Sequence, residues 1–140
     1  MKLDVSVPLG ELPGLVAELP PTVAKIAPEA RTILFGHLNE GNLHVNILDP
    51  VPNDGLPGHP QRLDRRSAHG TSSDALTDAV LHLVAACHGS ISSEHGVGRA
   101  KARWLALSRS AEEISTMCRI KSALDPNALL NPGVLLTGRE

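Results

Sequence analysis

The chain has 140 residues, 41% of them apolar, and a formal net charge of -2, which suits one globular domain and excludes the strongly basic surface of a nucleic-acid binder. No stretch is long and apolar enough to span a bilayer, and the opening Met1-Lys2-Leu3-Asp4-Val5 has no apolar signal region, so a cytoplasmic location is expected. Phe35 and Trp104 are the only aromatic residues, so the core is expected to be built from Leu, Val, Ile and Ala, with Cys87 and Cys118 as reduced thiols within it.

Lys2–Val7 alternates and predicts a strand ended by Pro8. Leu12, Leu15, Val16, Leu19, Val23 and Ile26 carry helical spacing through Leu9–Ala27, and Pro20-Pro21 predicts a kink or two short helices. Arg31–Leu38 and Leu43–Asp49 predict a hairpin. With Glu40-Gly41 as a two-residue loop, Asn39 faces Asn42, Leu38 faces Leu43 and His37 faces His44. One face then carries His37, His44 and Asn46, and the other carries Leu34, Leu38, Leu43, Val45 and Ile47 as a core face. A slip by one residue would bury the histidines and expose the leucines.

Pro50 to about Ser72 is rich in Pro, Gly, Asn, Asp and Arg and reads as a long loop, a linker or a lid. Asp74–His88 is the clearest helix, with apolar residues at Leu76, Ala79, Val80, Leu83, Val84 and Cys87, Ser73 as N-cap and Gly89 as C′ residue. Ser90–Ser93 reads as a last short strand. The order β-α-β-β-α-β is the ferredoxin-like α+β pattern, a four-stranded antiparallel sheet with both helices on one face. Beyond it, Gly98–Leu107 predicts a short helix. Ser110 and Glu113 form a capping box for another, with Ile114, Met117, Ile120 and Leu124 as its apolar stripe. The chain thus divides into a ferredoxin-like unit, 1–97, and a helical extension, 98–140, whose stripe is free to pack on something else.

The chemistry concentrates in two places. Directly opposed residues of a hairpin have Cβ atoms roughly 4.5–5.5 Å apart, close enough for two imidazoles to share one ion. Downstream, Ser90-Ile91-Ser92-Ser93-Glu94-His95-Gly96-Val97-Gly98 brings a Glu-His pair between a strand and a helix start. Two imidazoles and one carboxylate make an open metal site with a position left for substrate or water. His37, His44 and Glu94 are therefore candidate metal ligands, Asn46 a candidate to orient a ligand, and His95 a candidate base or substrate-polarising group. The plainer reading has two surface histidines beside a turn and an acidic residue favoured by a helix dipole. Of Arg99, Lys101 and Arg103, one is free to bind a carboxylate while the others form a solvated helix face.

The segments Gly36–Asn46, Ser90–Gly98 and Asp125–Gly133, together with Lys2–Pro8, resemble the C-terminal domain of the FAD-linked oxidases. That flavoprotein group includes D-lactate dehydrogenase, D-2-hydroxyglutarate dehydrogenase and the glycolate oxidase flavin subunit. The resemblance covers nearly the whole chain, with four motifs in the family's order. The turn Asn39-Glu40-Gly41-Asn42 keeps the glycine and asparagine of the family's Gly-Asp-Gly-Asn.

The resemblance implies an oxidoreductase acting on 2-hydroxy acids, with a hydride passing to FAD. His37, His44 and Glu94 would bind zinc or manganese. Asn46 and His95 would contact substrate, with His95 as proton acceptor. Asn131 and Gly133, in Asn131-Pro132-Gly133, would lie near the flavin. The FAD-binding domain would be a separate, upstream domain or chain, so this chain alone would hold FAD weakly and be inactive. An unpaired sheet edge and an apolar tail would also drive self-association, as a dimer. The competing reading from another class is a stand-alone ferredoxin-like module that binds a metal or small acid in a regulatory or structural role.

Overall fold

The computed structural model describes residues 1–48 and 70–136; the loop read over Pro50–Ser72 lies largely outside them, and so do the last four residues. Three strands form one antiparallel sheet: β1 (Lys2–Ser6), β2 (Arg31–Phe35) and β3 (Asn42–Leu48), in the order β1-β3-β2. Helix α1 (Leu12–Ile26) precedes β2 and helix α2 (Gly70–Ala86) follows β3. The expected fourth strand is reduced to a single bridge, Ser90 to Ser6 on the free side of β1. Its backbone exchanges two hydrogen bonds with Ser6, at 3.1 and 2.7 Å, before the chain turns away. That bridge preserves the ferredoxin-like β-α-β-β-α-β arrangement, because the last segment joins the edge opposite β2.

One face of the sheet carries the core. Leu3 and Val5 of β1 and Leu43, Val45 and Ile47 of β3 are buried against Leu12, Leu15, Leu19 and Val23 of α1 and Leu76, Val80 and Val84 of α2. Alternation in the strands and the three-to-four spacing in the helices put all of these on facing surfaces. Val16 and Ile26, also part of the α1 stripe, sit at its margin and stay exposed.

Several expectations change. Helix α1 is one helix through Pro20 and Pro21 rather than two short ones. Both prolines are exposed, so the carbonyls they leave unpaired lie where water reaches them. Helix α2 begins at Gly70, ahead of the Ser73 cap. At its other end the left-handed residue is His88, at φ 54°, not Gly89. Gly89 N donates to Val84 O at 2.9 Å and closes a Schellman turn. A glycine is still required there, because a Cβ would fall 2.5 Å from Ser6 O.

Gly98–Leu107 forms a 3-10 helix only over Ala102–Leu107, and Trp104 from it enters the core. Helix α3 (Ala111–Leu124) has the capping box read from sequence: Glu113 N donates to Ser110 Oγ at 3.2 Å and Ser110 N to Glu113 Oε2 at 2.7 Å. None of its residues is buried, and Ile120 and Leu124 are 56% and 77% exposed. Ile114 and Met117 are half-buried, and the outer half of the stripe stays open. Cys87 and Cys118 are free thiols, each half-buried rather than core; burial, then the negative charge of Glu11, pushes the Cys87 thiol up.

Candidate functional site

The second face of the sheet holds the polar residues. Across it run three neighbours in one row: Asp4 of β1, His44 of the central strand β3 and Phe35 of β2. The hairpin therefore differs from the expected register. His44 faces Phe35 rather than His37, because Leu38–Glu40 winds into a 3-10 turn and Gly41 closes it in the left-handed region at φ 67°. Asn42 N donates to His37 O at 3.2 Å and ends the pairing. The shift is by two residues, so His37, His44 and Asn46 keep the face assigned to them. Leu38 does not: it sits in the turn, 67% exposed, and takes no part in the core.

His37 and His44 still converge, with ring centroids 6.2 Å apart in an edge-on arrangement. The Glu94 side chain comes to the same point from the loop after Ser90, and its Oε1 lies 3.3 Å from His37 Nε2. One donor atom from each of His37, His44 and Glu94 lies within 4.8 Å of the other two. A zinc-sized ion about 2.1 Å from each donor needs them about 3.4 Å apart in tetrahedral geometry. The His37–Glu94 pair meets that spacing, and the other donor pairs lie within 4.8 Å. Two imidazoles with one carboxylate suit zinc, manganese, iron or cobalt alike. Next to this cluster the His95 ring stacks on His44, centroids 5.5 Å apart at 27°. Asn46 is half-buried two residues along β3 on the same face.

Asn131 and Gly133 stand apart from the cluster, lining a groove with Ile114, Lys121 and Asp125. The tail nevertheless returns to the Glu-His loop: Leu135 N donates to Gly98 O at 2.8 Å, and Gly133 passes over the Arg99 guanidinium. Arg103 pairs with Asp74 at 3.0 Å and lies over the Trp104 ring. Of the three basic residues only Lys101 is buried, and its Nζ donates to Asp4 O at 3.1 Å and Ile91 O at 2.7 Å. Burial pushes that ammonium below the usual lysine range, and the negative Asp4 opposes the shift.

Sequence reasoning passed over Asp4. This carboxylate is 2% exposed. Its Oδ2 accepts three successive backbone N–H groups, from Ser93 at 3.0 Å, Glu94 at 2.8 Å and His95 at 2.9 Å. Its Oδ1 accepts from Asn42 Nδ2 at 2.9 Å and lies 3.7 Å from His44 Nδ1. Burial alone would raise the carboxyl; the His95 N–H, the Asn42 amide and the Ser93 and Glu94 N–H groups outweigh it and hold Asp4 below the ordinary aspartate value. No local signal marked it, because a charged residue between the core residues Leu3 and Val5 is what the outward face of any alternating strand carries.

The family profile of FAD linked oxidases, C-terminal domain, matches residues 1–135. D-2-hydroxyglutarate dehydrogenase of Stutzerimonas stutzeri is 36% identical over 132 residues, which is 94% of this chain and 26% of that protein. The Xanthomonas citri protein of the same name is 37% identical, over 96% of this chain and 26% of its own length. The mitochondrial D-2-hydroxyglutarate dehydrogenase of Bos taurus is 34% identical, over 96% of this chain and 22% of its own. The chain spans about a quarter of the length of these relatives. No helix among the described residues is long and apolar enough to cross a membrane. With the match spanning almost its whole length, the chain belongs to the family of FAD linked oxidases, C-terminal domain.

Proposed function

We propose that this chain is the metal- and substrate-binding domain of an FAD-dependent dehydrogenase of D-2-hydroxy acids, D-2-hydroxyglutarate being the substrate named in its relatives. The observation that carries this reading is the convergence of His37, His44 and Glu94 from a hairpin and a loop distant in sequence. FAD, when bound by its own domain, supplies the two-electron acceptor for the hydride leaving C2, and a divalent cation supplies the charge that acidifies the C2 hydroxyl. His95, stacked beside His44, takes the hydroxyl proton as general base, and a 2-keto acid remains. Asn46 offers its amide to the substrate from the same face. Asn131 and Gly133 face the flavin, and α3 lies against the flavin-binding domain with its exposed apolar side. The stacked contact with His44 supports this role by placing the His95 ring beside the proposed metal ligand.

Elemental analysis of tag-free protein tests the reading. After incubation with zinc or manganese the wild type is expected to carry near-stoichiometric metal, and His44→Ala to carry none. A wild-type chain that takes up neither metal, or a His44→Ala chain that retains it, would overturn the ligand assignment.

A further inference from the structure

The Asp4 carboxylate touches both halves of the site yet belongs to neither motif. Four donors converge on it, three of them the N–H groups of the segment that ends in Glu94 and His95. Successive N–H groups wrapped round an anion form a nest, and the anion fixes the backbone that supplies them. Here the anion is part of the chain, and the fixed backbone carries the Glu94 side chain to 3.3 Å from His37. The same carboxylate stands directly opposite His44 in the sheet, and the Oδ1 that accepts from Asn42 lies 3.7 Å from Nδ1. A carboxylate beside one ring nitrogen of a histidine favours the tautomer with the proton on that nitrogen and leaves the other as a lone-pair donor. Lys101 clamps the backbone carbonyl of Asp4 and that of Ile91 at the root of the loop, so the carboxylate cannot drift along the strand.

We infer that Asp4 is the positioning residue of this site: it sets the Glu94-His95 loop against the hairpin and selects the Nδ1–H tautomer of His44, so that Nε2 is the nitrogen presented to a cation. The inference rests on the proposed metal site for its consequence, but the loop and the tautomer are properties of the metal-free chain. Asp4→Asn keeps the volume and removes the charge. Its amide has too few acceptor positions for the four donors, and its own N–H₂ opposes that of Asn42.

The deciding measurement is 15N NMR of the metal-free chain. In wild type, the His44 imidazole is expected with Nδ1 protonated and Nε2 unprotonated at a pH where the ring is neutral. The Ser93, Glu94 and His95 amides are expected to exchange slowly. The opposite tautomer in wild type would overturn the inference with no variant needed. In Asp4→Asn the tautomer preference and the amide protection are expected to vanish while far-UV circular dichroism persists, and zinc affinity is expected to fall about 10- to 100-fold. A folded Asp4→Asn with wild-type tautomer, or with wild-type zinc affinity, would reduce Asp4 to a structural residue. A wild type that binds no zinc while showing the expected tautomer and protected amides would sink the proposed function and leave this inference standing.

Discussion

Asp4 and His44 stand opposite one another on β1 and β3, with Oδ1 of the one 3.7 Å from Nδ1 of the other. This single cross-strand pair ties the hairpin histidines to a loop about 50 residues further along the chain, because the other oxygen of Asp4 holds that loop by three N–H groups.

Asn42 is fully buried and gives its Nδ2 to Asp4. Asn42→Asp would replace that donor with a second carboxylate 2.9 Å away at a fully buried position. The expected cost is about 3 kcal/mol, the scale of an uncompensated buried charge. Urea unfolding at pH 7 measures it, and the loss should shrink in mild acid as the pair gains a proton.

Two glycines should respond in opposite directions to the same change. Gly41 closes the hairpin turn at φ 67°, and a Cβ there would fall 2.0 Å from Val7 O. Gly41→Ala is expected to cost more than about 2 kcal/mol, from left-handed strain and from displacement of the β1 end. Gly14 lies inside α1 with open space around it. Gly14→Ala should stabilise by about 0.5–1 kcal/mol through helix propensity. Chemical denaturation of both variants checks the contrast.

Asp125 caps the tail after α3. The hydrogen bond from Lys121, with those from the Leu130 and Leu129 N–H groups, lowers its carboxyl to about 2. A carboxyl depressed by folding stabilises the native state above its unfolded value, near 3.8, and loses that contribution as pH falls toward 2. Wild type and Asp125→Asn should therefore differ in tail protection at neutral pH and converge between about pH 4 and 2, as hydrogen exchange of the Leu129 and Leu130 amides would report.

The exposed side of α3 and its tail carries Ile120, Leu124, Leu129 and Leu130, each more than half exposed. In the isolated chain this apolar surface is expected to drive self-association at high concentration. Sedimentation velocity should show a dimer for wild type and a monomer for the double variant Ile120→Glu, Leu124→Glu, with unchanged melting temperature because neither side chain is buried. A wild type that stays monomeric at every concentration would refute this.

Much of the molecule was legible in the residues. Alternation in Leu43-His44-Val45-Asn46-Ile47 decided which side of β3 meets the helices. The spacing of Leu12, Leu15, Leu19 and Val23 decided the buried side of α1, and Ser110 with Glu113 decided where α3 begins. These are local properties, set by two- and 3.6-residue periods and by caps that span one turn. His37 and His44 could be placed on one face because face assignment survives a shift of two residues, whereas no local pattern places Glu94 beside them. The register itself was decided in three dimensions. A 3-10 turn over Leu38–Glu40 closed by Gly41 pairs His44 with Phe35, and the sequence pattern has equal merit in both registers. Tertiary structure alone also decided the burial of Asp4 and Lys101. An aspartate in a strand and a lysine in a basic run carry no local sign of burial, and the N–H groups and carbonyls that compensate their desolvation come from about 90 residues away for Asp4 and from both Asp4 and Ile91 for Lys101.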